Sequence, residues 1–139
     1  MQQVVMLNTR PADVYRKQDI MTASSVDLII MLYDALRKNI ALGRKRINNK
    51  NVPAAHEALM KAQDIVQELI NCLDMNYEIA EELLSIYEFI LSNLGDANLQ
   101  KNAEMLEPVL EMVDSLRSAW QEISSQSKGS LYMSEGQEA

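Results

Sequence analysis

The sequence contains few cysteine, glycine, proline and aromatic residues, and each shortage excludes or disfavours some classes of protein structure. The single cysteine, Cys72, cannot form a disulfide within the chain and fits a reducing compartment. Four glycines, three prolines and 5% aromatic residues favour helices, because few turn-forming residues interrupt the chain. The fold class indicated by these shortages is all-α.

Basic charge and long apolar runs are also scarce. Acidic residues outnumber basic ones by 20 to 13, which gives a net charge of −7, whereas a general nucleic-acid binder presents a basic surface. No apolar stretch approaches the roughly 20 residues that span a bilayer, and the first residues lack the pattern of a secretory signal. We therefore expect one cytoplasmic domain that binds neither nucleic acid nor membrane.

The residues that are present show helical periodicity, with apolar side chains at alternating steps of three and four. Ser24, with Asp27 three residues later, forms a capping-box pattern before the first apolar run. Pro53 suits the first position of a helix, and Pro108 either kinks the last helix or marks its true beginning. The pattern predicts helices over 25–47, 53–74, 77–98 and 103–124.

Short connections between these helices make sequential helices antiparallel neighbours. The prediction is an antiparallel four-helix bundle over 25–124, preceded by an N-terminal arm at 1–24 and followed by a disordered tail at 125–139. A short extra helix over 12–20 is an option within the arm. In the last helix the predicted core seam is Val109, Val113, Leu116, Trp120 and Ile123.

The stretch DLIIMLYDAL, residues 27–36, is more apolar than a helix buried on one side requires. At about 100° per residue, a second apolar stripe runs along this helix beside its core seam, formed by Leu28, Met31, Ala35 and Leu42. Either this helix is enclosed by two neighbours, or the stripe is a groove for an amphipathic helix of another chain. Off-seam apolar residues of the other helices are Met60, Phe89 and Leu110. A singly exposed Phe89 would need no functional explanation.

Side chains suited to catalysis are few. His56, the only histidine, is either a solvated surface residue or a phosphotransfer group, but the text HEALMK lacks the usual His-x-Leu-Lys-Gly pattern. Pro53 stands three residues before His56, so no Glu-x-x-His metal motif is present. Cys72 is most simply a buried thiol. We predict a protein that is not an enzyme and holds neither cofactor nor metal.

Basic residues gather near the end of the first predicted helix: Arg37, Lys38, Arg44, Lys45, Arg46 and Lys50. Cations are favourable at a helix C-terminus, so this cluster fits a purely structural role. A basic patch for an acidic partner is the alternative.

Three stretches resemble the flagellar secretion chaperones of the FliS type. They are VYRKQDIMTASSVDLIIMLYDAL, ALMKAQDIVQELINCLD and LRSAWQEI, which occur in the family's order and spacing over residues 13–123. The matching positions include Tyr15, Thr22, Ala23, Ser24, Leu32, Tyr33, Asp34, Lys61, Ala62, Gln63, Leu69, Asp74, Arg117 and Trp120.

The resemblance implies a cytoplasmic export chaperone. Such proteins bind the C-terminal segment of flagellin, prevent its early polymerisation and help to deliver it to the flagellar type III export apparatus, with the export gate as a further partner. We expect a monomer that forms a one-to-one complex. The candidate partner-binding residues are Tyr15, Ile20, Met21, Leu28, Met31, Leu42, Met60, Phe89 and Leu110. The alternative is an adaptor or regulatory bundle that binds an amphipathic helix of a different partner.

Overall fold

The computed structural model describes residues 25–127, and each element within that range is helical. The helices are α1 (Ser25–Asn48), α2 (Val52–Asn71), α3 (Glu78–Gln100) and α4 (Leu106–Ser127), with a 3-10 turn at Ala103–Met105 before α4. The predicted all-α fold is confirmed. The predicted arm, its short helix and residues 128–139 lie outside the described residues, as do the candidates Tyr15, Ile20 and Met21.

The ends of the helices follow from local chemistry. Asn51 precedes α2, and its side-chain oxygen accepts a hydrogen bond from a backbone N–H of the first turn, which has no partner within the helix. Pro53 lies in that same turn, where its missing N–H removes no helical hydrogen bond. Pro108 is the third residue of α4, so it marks the beginning of that helix instead of kinking it. Lys101 ends α3 with a left-handed φ of 51°.

The four helices form a ring of neighbours. α1 packs against both α2 and α4, and α2 packs against α3, whereas α3 and α4 approach each other least. α1 and α2 therefore each have two close neighbours in the ring. The bundle core is formed by Leu32, Tyr33, Leu36, Ile40, Leu59, Ala62, Val66, Leu69, Leu83, Tyr87, Ile90, Leu94, Ala97, Leu106, Val109, Leu110 and Val113.

Two tyrosines connect helices that are not adjacent in the ring. The Tyr33 hydroxyl of α1 lies 2.5 Å from the Tyr87 hydroxyl of α3, and Trp120 Nε1 of α4 donates a hydrogen bond to the Tyr33 oxygen at 3.2 Å. Burial raises the pKa of the Tyr33 hydroxyl, and burial together with the nearby Tyr33 raises that of Tyr87. Both hydroxyls therefore stay protonated and can serve as donors inside the bundle.

Tyr33→Phe is expected to destabilise the fold by about 2 kcal/mol, since it leaves both Trp120 Nε1 and the Tyr87 hydroxyl without their partner. Tyr87→Phe is expected to cost only about 1 kcal/mol, because the Tyr33 oxygen keeps its bond from Trp120. Urea denaturation followed by circular dichroism measures both values. Equal losses in the two variants would contradict the assignment of Tyr33 as the shared partner.

Candidate partner-binding surface

The first helix presents an apolar stripe to solvent. At about 100° per residue, Leu28, Met31, Ala35 and Leu42 fall within an arc of about 60°, on the side of α1 away from the buried Tyr33 and Leu36. Met31 is 59% exposed, and the other three are partly exposed. We call these four residues the α1 stripe.

One border of the α1 stripe is the contact with α4, which is marked by ion pairs. Arg117 Nε lies 2.5 Å from Asp34 Oδ1, and Arg37 Nε lies 2.6 Å from Asp114 Oδ1. A third pair joins Arg44 to Glu107. From one pair to the next, the residue number in α1 increases by three and then by seven, and the residue number in α4 decreases by the same amounts. The three pairs therefore belong to one antiparallel register of α1 and α4.

These ion pairs are partly exposed, so solvent screening leaves each of them only a small contribution to stability. Their charges nevertheless alternate along both helices, because α1 supplies Asp34 and then Arg37, while α4 supplies Arg117 opposite Asp34 and Asp114 opposite Arg37. A shift of three residues would place Asp34 opposite Asp114 or Arg37 opposite Arg117, so the pairs disfavour that misalignment of the two helices.

The other border of the α1 stripe is the contact with α2, where the helices come very close. Gly43 faces Leu59 so tightly that a Cβ atom at position 43 would lie 2.6 Å from Leu59 Cδ2. Arg46 Nη1 donates to the Ala54 carbonyl at 3.1 Å at the same end of the helix pair. The α1 stripe thus runs between two closed helix contacts, with Met31 facing outward and Leu28 also packed against the core.

Lysines follow one edge of the α1 stripe. Lys38 and Lys45 are exposed and lie between the stripe and the contact with α4. Unlike Arg37 and Arg44, they form no ion pair within residues 25–127. A partner helix with acidic residues along one edge would be complementary to this arrangement.

Two further candidates are exposed, but on other faces of the bundle. Met60 lies on the edge of α2 that faces α3, in line with His56, whose Nδ1 is 3.0 Å from Asn98 Nδ2 of α3. Phe89 lies on α3, on the side away from that contact. The structure therefore brings Leu28, Met31 and Leu42 together and leaves Met60 and Phe89 apart from them.

The placement of Leu110 on an outward face is wrong. Leu110 is only 6% exposed and belongs to the core. A packed helix buries a band wider than about 100°, and α4 buries four apolar residues with helical spacing: Leu106, Val109, Leu110 and Val113. The predicted core seam took only every third or fourth residue of α4, so it did not include Leu110, which directly follows Val109 in the sequence.

Sequence reasoning did not single out several exposed apolar side chains near the helix ends: Val52, Met75, Tyr77, Ile79 and Leu99. Ile79 and Leu99 are the second and the second-last residues of α3. Their position within one turn of a helix end is the sequence signal that could have indicated exposure, because fewer neighbours cover the ends of a bundle.

The remaining reactive side chains do not assemble into a site. Cys72 is partly buried, and its sulfur lies 3.9 Å from Glu68 Oε2. Within the part of the chain that the structure describes, no three His, Cys, Asp or Glu side chains are grouped to hold a metal ion. Among the four described helices, none combines the length and the apolar composition needed to cross a membrane.

Comparisons with known proteins agree on one family. The family described as flagellar protein FliS matches residues 6–127. The flagellar secretion chaperone FliS of Bacillus subtilis is 34% identical over 112 residues, which are 81% of this chain and 84% of that protein. The protein of the same name from Salmonella typhimurium is 32% identical over 116 residues, with 81% and 86% covered. The one from Vibrio cholerae is 31% identical over 103 residues, with 73% and 76% covered.

Proposed function

This chain belongs to the FliS family of flagellar secretion chaperones, and we propose that its client is the C-terminal segment of flagellin. The chain has a chaperone's role in flagellar export. In the proposed function, it binds the segment in the cytoplasm as a one-to-one complex, prevents premature polymerisation and aids delivery to the flagellar type III export apparatus.

The observation that carries this proposal is the α1 stripe. A helix enclosed by two neighbours would bury its surplus apolar residues, yet Met31 remains largely exposed between two closed helix contacts. A stripe of this shape suits an amphipathic helix, which places anchors at positions i, i+3, i+4 and i+7. Lys38 and Lys45, which form no ion pair within residues 25–127, favour a client helix with acidic residues on the matching edge.

The energetics are consistent with binding of a disordered segment. Burying one large apolar side chain contributes about 1.5–3 kcal/mol, and ordering such a segment costs about 2–5 kcal/mol or more. Met31 is exposed in the free protein and supplies most of this gain, while Leu28 and Leu42 are already partly buried and add less, so the α1 stripe offsets part of the ordering cost. Met60 and Phe89 lie on other faces, so they fit a client that extends around the bundle as more than one helix.

Calorimetric titration of the protein with a flagellin C-terminal segment, with circular dichroism of the mixture, tests the proposal. We expect one-to-one binding and more helix in the mixture than in the sum of the two components, because the client folds as it binds. A segment of the same composition in scrambled order is the control. The proposal would be overturned if the folded bundle did not bind the flagellin segment, or if it bound both segments equally. Either result would favour an adaptor that binds another helix.

A further inference from the structure

One end of the bundle carries a compact apolar patch that is separate from the α1 stripe. Met75 and Tyr77 in the α2–α3 connection and Ile79 in the first turn of α3 are each about half exposed or more. Three such side chains within five residues exceed the scattered single exposures that a protein surface normally shows. We call them the end patch.

The same end of the bundle is where α4 stops. Tyr33 contacts both Tyr87 of α3 and Trp120 of α4, so these two residues lie at the same height along the bundle. Ile79 is eight residues before Tyr87 and Ser127 is seven after Trp120. At about 1.5 Å per residue, both Ile79 and Ser127 lie roughly 10–12 Å from the level of Tyr87 and Trp120, toward the same end of the bundle. The last residue of α4 is therefore level with the first turn of the neighbouring α3.

The chain continues for 12 residues beyond this point, with the sequence KGSLYMSEGQEA. Its large apolar residues are consecutive: Leu131, Tyr132 and Met133. Four to six residues of extended chain reach about 13–20 Å, whereas neighbouring helix axes lie about 8–10 Å apart. The three apolar residues can therefore reach the end patch from Ser127.

One charge of the tail complements the end patch. The end patch is flanked in sequence by exposed carboxylates of α3 and of the preceding loop: Asp74, Glu78, Glu81 and Glu82. The two acidic residues of the tail, Glu135 and Glu138, come after the apolar triplet. The only cation among residues 128–139 is Lys128, which comes directly after α4 and ahead of the apolar triplet. A tail that runs from the end of α4 toward the α2–α3 connection would therefore bring the Lys128 side chain toward these carboxylates.

We propose that Leu131, Tyr132 and Met133 dock on the end patch formed by Met75, Tyr77 and Ile79, as an intramolecular cover. Composition alone predicts a disordered tail, whereas in this proposal the tail is bound to the bundle. The contact shields the exposed apolar end patch from solvent in the free protein. It involves neither the α1 stripe nor flagellin, so it stands or fails independently of the proposed function.

A spin label on the tail tests this contact in the free, full-length protein. Cys72→Ser removes the native thiol, and Ser134→Cys carries the nitroxide just after the apolar triplet. Paramagnetic broadening is then read at the methyl groups of Met75 and Ile79. The reference methyls are those of Val52 and Leu99 at the other end of the bundle, since α2 alone has 20 residues, about 30 Å of helix.

We expect the methyl signals of Met75 and Ile79 to lose more than half their intensity, while those of Val52 and Leu99 keep theirs. The matched control replaces Leu131, Tyr132 and Met133 by serine and keeps the label, so that the tail is equally long but cannot dock. Equal broadening with the two tails would mean that the tail is only tethered nearby, and it would overturn the proposal. Absence of broadening at Met75 and Ile79 would do the same.

Discussion

The double substitution Met31→Asp with Leu42→Asp is expected to weaken binding of the flagellin C-terminal segment about a hundredfold, which is about 2.8 kcal/mol. Each substitution removes an apolar anchor worth about 1.5–3 kcal/mol when buried. Each also places a carboxylate where an apolar client face would strip it of water. Calorimetric titration against the unchanged protein measures the loss.

The control for this experiment is Val52→Asp with Leu99→Asp. These residues are exposed and apolar like Met31, but they lie at one end of the bundle and outside the α1 stripe. We expect them to leave the affinity within about twofold, since exposed substitutions change little. If both double variants bind equally well, or lose affinity equally, the client does not use the α1 stripe. Circular dichroism of each variant confirms that the bundle remains folded.

Gly43→Val is expected to reduce the free energy of unfolding by about 3 kcal/mol. A Cβ atom at position 43 would lie 2.6 Å from Leu59 Cδ2 and 2.8 Å from Leu59 Cγ, and Leu59 is fully buried, so it has no free space to move into. Overpacking of this kind typically costs about 1–3 kcal/mol or more. The two extra methyl groups of valine add to the strain that a Cβ atom alone would cause.

The matched comparison is Gly95→Ala, where the added Cβ would meet only Gln63 Nε2 at 3.6 Å, an ordinary contact. Alanine is the better helix former by about 1 kcal/mol, so this variant is expected to be more stable. Leu59→Ala combined with Gly43→Val should lose less stability than the sum of the two single substitutions, because truncating Leu59 gives the valine room. Urea denaturation measures the single and double variants, and a neutral Gly43→Val would show that α1 and α2 can separate without cost.

Among residues 25–127, several residues that carry the family resemblance are structural. Tyr33 and Trp120 share a hydrogen bond, and Asp34 pairs with Arg117, so two stretches distant in sequence meet in the α1–α4 contact. Motif spacing could not predict this meeting, because it depends on which helices become neighbours. The α1 stripe lies on the same helix as Tyr33 and Asp34, on the side away from Tyr33 and next to Asp34.

The helical periodicity of the sequence determined the four helices, their order and most of the core, because the buried face of a helix is a local property of residue spacing. It also determined that α1 has more apolar surface than one seam needs. Only the tertiary structure decided which surplus residues face solvent. Exposure depends on the number and distance of neighbouring helices, and these are set by long-range contacts such as Gly43 against Leu59.

Leu110 and Met31 illustrate this division. Both are off-seam apolar residues of amphipathic helices, and no local rule separates them. Leu110 is buried in the core, whereas Met31 lies on the outward side of α1, between its contacts with α2 and α4. Periodicity gives the direction of a side chain relative to its own helix axis, but only the packing of the bundle determines what lies in that direction.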